Sequence, residues 1–447
     1  MANVIKLRKG LDIRLKGKAE KIKIQPASSN EFGFVPDDFV GMKPKVVVDV
    51  GSHVKAGDAL FVNKRFPEVK FVSSVSGVVT EVVRGERRKL LCVKVQADNE
   101  QEFCDFGKKD LSSMDGDAVC QMLKDAGLFG YINQLPYAIS AEPTMEPKAI
   151  FVSAFRDMPL AADFEYELQG NESDWQTGLT ALSKIAKTYL GVGAHQKDTA
   201  LLMAQDVVVT IFDGPCPAGN VGVQVNHLCP VNKGELVWTV DPTAVIFIGR
   251  LFNEGRVNLK RTIAIAGSEV ENPAYADVLV GQRISTVVNA TKEHVRLIKG
   301  NPLTGLPTTT DDYVGAHTSE ITAIPEGDDC DELFGWILPR TKDFSMNRSY
   351  FSWLFGKKKQ YVLDARVKGG ERHMIMSGEY DRVFPMDIYP EYLIKAIIAG
   401  DIDKQEQLGI YEVSPEDFAL AEFVDSSKLE LQRIVREGLD LLRKENA

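Results

Sequence analysis

The chain has 447 residues, too many for a single hydrophobic core, and this length predicts three or four domains. Its composition, 44% hydrophobic and 26% charged, is typical of an ordinary globular protein. A formal net charge of -10 argues against a nucleic-acid binder, which usually has a strongly basic face. No run approaches the roughly 20 apolar residues that span a bilayer, and the N-terminus lacks a signal-peptide core. We therefore expect a soluble chain, or one that sits on a membrane complex without crossing.

The first 25 residues form a basic arm in an otherwise acidic protein. Two interpretations are open for this arm: a solvated terminal strand, or a segment that docks on an acidic partner or on anionic lipid. Its only acidic residues are Asp12 and Glu20. Its basic residues are Lys6, Arg8, Lys9, Arg14, Lys16, Lys18, Lys21 and Lys23.

Residues 40–97 read as short valine-rich strands separated by glycine turns. The run from Gly51 to Leu60 has the form G-x-x-V-x-x-G-D-x-L and resembles the biotinyl/lipoyl-type barrel-sandwich hammerhead. Carrier proteins of that fold display a modifiable lysine on a hairpin. Here Lys64, in "NKRFPEVKF", lacks the usual sequence context, so we expect a structural module.

The remaining chain changes character twice. Between 105 and 255, buried-type strands such as "KAIFVSAF" alternate with helical patterns, which predicts a parallel α/β sheet. Residues 262–285 read as a compact β-rich unit, and the last third is helical, with Gly400 as a helix stop. The predicted fold class is α/β multidomain. The predicted domains are 1–104, 105–256, 257–335 and 336–447.

The C-terminal third contains the spacing of an iron–sulfur site without its ligands. The positions C-x-x-C-x-x-C-x-x-x-C-P are filled by side chains that cannot replace thiolates on iron. A second frame about thirty residues later is equally empty, so we expect an apolar core in the former cluster volume. The two frames are Met374, Ser377, Tyr380, Phe384 followed by Pro385, and Val413, Glu416, Ala419, Phe423.

The order of modules resembles the C subunits of the Rnf complexes and, without the first module, the flavin subunit of respiratory complex I. The resemblance implies a small β-grasp-like (SLBB-type) domain at 257–335 and a ferredoxin-like C-terminal domain without clusters. In those relatives a glycine-rich loop cradles FMN. Here the corresponding loop is "AGLFGYINQLPYA", residues 126–138, and bulky side chains replace the glycines. A phosphate cradle needs backbone N–H groups at close approach, which such side chains obstruct.

The whole chain is similar to the A subunits of the Na+-translocating NADH:quinone reductase. The stretches that carry this resemblance include "VGMKPKVVVDVGSHVKAGDALF" and "YVGAHTSEITAIPEGDDCDELFGWILP". It implies a peripheral subunit on the cytoplasmic face of the inner membrane, with five partner subunits. That complex passes electrons from NADH to quinone and exports Na+. FMN, FAD, riboflavin and iron–sulfur centres belong to the other subunits, and no prosthetic group is expected in this chain.

The former flavin loop is the candidate quinone site. A quinone ring is flat and needs no phosphate cradle, so we expect it near Phe129, Gly130, Tyr131 and Gln134. Alternatively, these side chains simply close an empty cleft. No catalytic residue is predicted, and no G-x-G-x-x-G follows a strand, so NAD binding by this chain is not supported. Two other functions remain open: a purely structural scaffold, and a stand-alone soluble flavin oxidoreductase.

Two smaller patterns complete the sequence. Cys216, His227 and Cys229 lie close together, but they lack a fourth ligand and regular spacing, so free thiols are expected and no metal site is predicted. The stretch "YFSWLFGKKK", residues 350–359, sets aromatic and aliphatic side chains beside three lysines. This composition suits a lipid interface or a hydrophobic partner. It suits a buried hairpin equally well.

Overall fold

The computed structural model describes residues 3–288, 293–328, 337, 340–346, 350–355 and 359–446. Mixed sheets and helices build several regions, as the α/β multidomain prediction requires. Within these residues, no helix combines the length and the apolar character needed to cross a membrane. Strands and helices are numbered below in chain order.

Two small antiparallel sheets form the first region. The larger has the order β3-β9-β8-β5 and the smaller the order β4-β6-β7. The glycine turns that the sequence predicts separate these strands; Gly51 and Gly57 adopt the positive φ values of 90° and 101° that glycine tolerates best. The strands are β3 (Glu31–Phe34), β4 (Pro44–Val46), β5 (His53–Val54), β6 (Ala59–Asn63), β7 (Lys70–Val72), β8 (Gly77–Arg84) and β9 (Leu90–Ala97).

A seven-stranded sheet forms the second region, and the predicted alternation of strands and helices is confirmed. Six of its strands are β10 (Ile132–Leu135), β11 (Ile139–Ser140), β12 (Ile150–Ser153), β13 (Thr188–Gly193), β14 (Val208–Asp213) and β15 (Val237–Val240). Its helices are α1 (Gly116–Asp125), α2 (Phe164–Leu168), α3 (Glu172–Ile185), α4 (Thr199–Leu202), α5 (Val221–Leu228) and α6 (Pro242–Glu254).

The chain order of this sheet reverses beside β12. Strands β13 and β14 follow on one side of β12, whereas β15 lies parallel to it on the other side. Such a reversal opens a crevice at the carboxyl ends of the strands. Helix α6 starts at this point, because Asp241 caps it by accepting a hydrogen bond from the Thr243 N–H at 2.9 Å.

A six-stranded sheet forms the third region, with the order β19-β18-β20-β16-β17-β2. The hairpin of β16 and β17 occupies the β-rich stretch predicted at 262–285, and β20 pairs parallel to β16. Five of the strands are β16 (Lys260–Ala266), β17 (Ala274–Leu279), β18 (Val295–Lys299), β19 (Leu306–Thr308) and β20 (Glu320–Pro325).

The basic arm does not pair with the small sheets, although we predicted it within the unit 1–104. Its strand β1 (Asn3–Lys6) extends the seven-stranded sheet parallel to β14, and β2 (Lys23–Ile24) extends the six-stranded sheet parallel to β17. Between them, Leu15 bridges to Tyr361 of the C-terminal region. The arm is therefore an edge segment that ties three regions together.

The C-terminal region is mainly helical, as predicted. Its described helices are α7 (Tyr380–Val383), α8 (Pro390–Ala399), α9 (Ile402–Gln407), α10 (Ala419–Val424) and α11 (Leu431–Glu445). The predicted stop of α8 is confirmed. Gly400 adopts a left-handed conformation, φ 70°, and donates its N–H to the final carbonyls of the helix.

The two cysteine-free frames contribute to one apolar core. Tyr380, Phe384, Val413 and Ala419 are buried, and the Phe384 ring lies 4.9 Å from the ring of Phe418. Met374 and Phe423 are half-buried against the same core. The remaining frame positions, Ser377 and Glu416, lie outside this core. Side chains thus occupy most of the positions at which a cluster would require thiolates.

We predict that Phe384→Ala sharply destabilises the C-terminal region. Truncation of a fully buried Phe removes its apolar contacts and leaves a cavity, which costs roughly 3–5 kcal/mol. Tyr392→Ala is the control, because Tyr392 is an exposed aromatic residue on α8 of the same region. Chemical denaturation followed by circular dichroism measures both variants. Equal stability of the Phe384 and Tyr392 variants would contradict the packing described above.

Candidate functional site

The predicted quinone loop is a turn between α1 and β10. Phe129–Tyr131 forms one turn of 3-10 helix, and all three residues are buried. The Phe129 ring meets Trp238 edge-on with 5.4 Å between ring centres. A Cβ on Gly130 would stand 2.5 Å from the Phe71 ring, so this glycine allows the small sheets to approach the loop.

Tyr131 is enclosed from three directions. Its ring contacts Phe39, Phe247 and His317, with centroid distances of 5.6, 5.7 and 5.6 Å. These partners belong to the first region, to α6 and to the third region. The loop is therefore a junction between regions, and neither Phe129 nor Tyr131 lines the cleft or the smaller pocket described below.

Gln134 behaves differently from the other predicted residues. It lies on β10 and lines a cleft, while its side-chain carbonyl accepts a hydrogen bond from the Glu142 N–H at 2.9 Å. His317, against which Tyr131 packs, lines the same cleft. Of the four predicted residues, Gln134 lines the cleft. Tyr131 does not line it but packs against His317, which does.

The cleft has a volume of about 670 Å³ and lies at the carboxyl ends of β12 and β15. It is therefore at the reversal of strand order, where α/β sheets commonly bind ligands. The six-stranded sheet contributes the turn 299–306, and the C-terminal region contributes 414–416. A smaller pocket of about 330 Å³, near Phe103 and Arg256, lies away from these strand ends.

A buried ion network lies beside the cleft, centred on Arg156. Its guanidinium donates to Glu167 at 2.9 Å, to Asp241 at 3.3 Å and to the Thr243 hydroxyl at 3.0 Å. Burial by itself would raise the pKa of Asp241, but the guanidiniums of Arg156 and Arg261 hold it below its ordinary value. Asp241 is consequently a fixed negative charge at the start of α6.

The carboxyl groups across the cleft are not paired in this way. Asp157 accepts a hydrogen bond from the Gly219 N–H at 2.9 Å, and burial raises its pKa to about 7. Glu416 lines the cleft from the C-terminal region, where its side chain is exposed to solvent. Asp157 can therefore hold or release a proton near neutral pH.

Hydrogen-bond donors also reach the cleft. Burial lowers the pKa of His317, so its imidazole is neutral at neutral pH and presents one N–H donor. Apolar side chains such as Leu135, Met158 and Val240 line much of the remaining wall. The combination of apolar lining with a neutral imidazole and the proton-holding carboxyl of Asp157 suits a polar-ended aromatic ligand.

Sequence reasoning missed Arg156, Asp157 and Asp241. The sequence contained a signal for them, because these polar residues come shortly after the buried strands β12 and β15. The carboxyl ends of parallel strands meet at one edge of a sheet, so the three side chains could have been predicted to lie close together. The predicted absence of a metal site at Cys216, His227 and Cys229 stays a prediction. Among the residues that the structure describes, no group of three or more His, Cys, Asp or Glu side chains is placed to hold a metal.

We predict that Asp157→Asn stabilises the protein at pH 8 relative to wild type, and that the difference disappears near pH 4. The reason is that the folded pKa, about 7, exceeds the unfolded value of about 3.9. In wild type, the contribution of Asp157 to the free energy of unfolding is complete below the unfolded pKa and is lost as the pH rises through the folded pKa. The amide of the Asp157→Asn variant carries no charge at any pH and does not show this loss. Thermal unfolding across this pH range measures the effect.

Asp98→Asn is the control for this pH experiment. A hydrogen bond from His53 lowers the pKa of Asp98, so the amide should reduce stability at pH 8 rather than increase it. Parallel pH curves for wild type and Asp157→Asn would show that this carboxyl has an unshifted pKa.

Comparison with known proteins identifies the family. Three protein-family models match: the NqrA N-terminal barrel-sandwich hybrid domain at residues 5–98, the NqrA second alpha/beta domain at 114–257 and the NQRA C-terminal domain at 262–310. A solved NAD+-reducing NiFe hydrogenase, air-oxidized, aligns over 77% of this chain and 67% of its own at 12% identity. Its TM-score of 0.35 is too low to support an argument.

Curated relatives match over the full length. The A subunit of the Na(+)-translocating NADH-quinone reductase from Neisseria meningitidis serogroup A is 34% identical, covering 99% of this chain and 100% of that protein. The protein of the same name from Yersinia pestis bv. Antiqua is 32% identical with the same coverage. The chain belongs to the family of A subunits of the Na+-translocating NADH-quinone reductase.

Proposed function

We propose that this chain is a peripheral subunit, on the cytoplasmic face of the inner membrane, of a complex that oxidises NADH, reduces quinone and exports Na+. Five other subunits are its partners in this proposal. They hold FMN, FAD, riboflavin and the iron–sulfur centres, whereas this chain carries no prosthetic group. Membership of the family supports the assignment to the complex.

Within that complex, the cleft beside Gln134 and His317 binds quinone. The quinone proposal is supported by the position of the cleft at the reversal of strand order and by its lining of both apolar and polar side chains. A volume of about 670 Å³ accommodates a quinone ring and the first part of an isoprenoid tail. Neutral His317 would donate to a quinone carbonyl, and Gln134 would position the ring.

Phe129, Gly130 and Tyr131 shape the site without touching the ring. Tyr131 packs against His317 from behind, and Gly130 allows Phe71 to close the loop. A flavin does not fit against this loop, because enclosed aromatic side chains fill the volume that a phosphate cradle needs. A flavin absorbance band near 450 nm in the purified chain would instead favour a flavin oxidoreductase.

The C-terminal region would be a ferredoxin-like domain that has lost its clusters, and the six-stranded sheet an SLBB-type β-grasp domain. The enclosed Tyr380 and Phe384 at cluster-frame positions support the first assignment. The parallel pairing of β16 and β20, flanked by antiparallel strands, supports the second.

We predict that Ala161→Trp weakens quinone binding about tenfold or more, because an indole at this position would fill the cleft that Ala161 lines. Quinone titration of the assembled complex measures the affinity, and NADH oxidation with an artificial acceptor should be unchanged. Ala161→Ser is the matched control, since it adds one small atom.

Two results would contradict the quinone proposal. An unchanged quinone affinity in a folded, fully assembled Ala161→Trp complex would remove the cleft from consideration and leave a scaffold role. A tag on this chain that retrieves neither partner subunits nor NADH:quinone activity would contradict the assignment to the complex itself.

A further inference from the structure

Two basic segments that are far apart in sequence lie side by side in the fold. The Lys16 N–H donates to the Tyr361 carbonyl at 2.9 Å, and the Tyr361 N–H donates to the Arg14 carbonyl at 2.8 Å. The basic arm is thereby fixed against Tyr361 of the C-terminal region. No local sequence pattern predicts this contact.

Both segments carry positive charge in an acidic protein. Residues 6–23 contain eight Lys or Arg and two acidic residues, and residues 340–376 contain nine Lys or Arg and three acidic residues. Each segment therefore has a net charge of about +6, whereas the whole chain has -10. Among the described residues, the fold places Arg14, Lys16 and Lys359 around Tyr361.

Apolar side chains project from the same place. In the 3-10 helix Phe351–Phe355, Ser352 is fully buried, whereas Phe351, Leu354 and Phe355 are 58%, 62% and 61% exposed and Trp353 is 43% exposed. Exposed clusters of this size on a soluble protein mark interaction sites. These side chains line neither the cleft nor the smaller pocket.

Basic groups flank the exposed rings. The Lys359 ammonium lies 4.6 Å from the Phe355 ring centre and 5.1 Å from that of Tyr361. In the arm, Ile13 and Leu15 are buried while Arg14 and Lys16 are exposed, so this alternation directs both charges outward. We define the aromatic–basic surface as Phe351, Trp353, Leu354 and Phe355 together with Arg14, Lys16 and Lys359.

We propose that the aromatic–basic surface docks on an anionic phospholipid bilayer. Aromatic and aliphatic side chains insert at the level of the headgroups, and the flanking cations attract the negative lipid surface. The positive charge alone would be enough to attract an acidic protein, whereas a bilayer also accounts for the exposed apolar side chains. The projecting apolar row, which lines neither the cleft nor the smaller pocket, suits insertion at the level of the lipid headgroups.

Flotation of the full chain with phosphatidylcholine vesicles, with and without phosphatidylglycerol, tests this proposal. The chain should float with the anionic vesicles, and added salt should weaken the binding. Trp353→Ser with Phe355→Ser, and separately Arg14→Glu with Lys16→Glu, should each reduce the apparent affinity about tenfold or more.

Matched controls change the same chemistry elsewhere. Tyr389→Ser with Tyr392→Ser removes two exposed aromatics, and Lys43→Glu with Lys64→Glu reverses two charges outside the surface. Both controls should float like wild type. Circular dichroism and thermal unfolding verify that every variant folds, which is expected because the altered side chains reach solvent.

Three results would overturn the proposal. The chain fails to float with anionic vesicles, or the controls lose as much affinity as the surface variants. Alternatively, the surface variants keep lipid binding and instead lose co-purifying subunits, which would make the surface a protein-docking site. None of these measurements involves quinone, so the outcome is independent of the cleft.

Discussion

The buried pairing of Arg156 with Glu167 and Asp241 is the constraint on which the rest of the site depends. Arg156 follows β12, Glu167 lies on α2 and Asp241 caps α6, so one guanidinium fixes three elements. Arg261 of β16 donates to Thr243 at 3.4 Å and extends the network to the six-stranded sheet. Removal of one partner would leave an uncompensated buried charge and strongly destabilise the folded state. The network thereby links the seven-stranded and six-stranded sheets beside the cleft.

The cleft combines fixed and exchangeable charges. Asp241 stays ionised beside its guanidiniums, whereas burial raises the pKa of Asp157 to about 7. A quinone gains protons when it becomes a quinol, and groups that exchange protons at neutral pH suit such a ligand. Beside this cleft, the rings of Phe39 and Phe247 enclose the Tyr131 ring.

Local patterns in the sequence predicted the features that depend on neighbouring residues. Gly400 ends α8 because a left-handed residue is needed there, and the alternation of strands and helices predicted the parallel pairing of β12 with β13 and β15. The antiparallel pairing of β10 with β11 and β15 in the same sheet was not predicted. The course of the basic arm could not be predicted, because a parallel edge strand pairs with a distant partner and has no local signature. For a similar reason, the sequence left open whether Phe129 and Tyr131 contact a ring or close the cleft. The side chains that bury Tyr131, among them Phe39 and His317, come from regions far away in the sequence.

Denaturant unfolding of Arg156→Met tests most directly whether the buried network holds the site together. The substitution keeps much of the side-chain volume but leaves Glu167 and Asp241 without their shared cation, which should cost about 3–5 kcal/mol. Lys148→Met, which removes the cation of the exposed pair with Glu235, should cost at most about 1 kcal/mol. Quinone affinity of the assembled Arg156→Met complex should fall together with stability. An Arg156 variant that unfolds like the Lys148 variant and binds quinone normally would contradict the account.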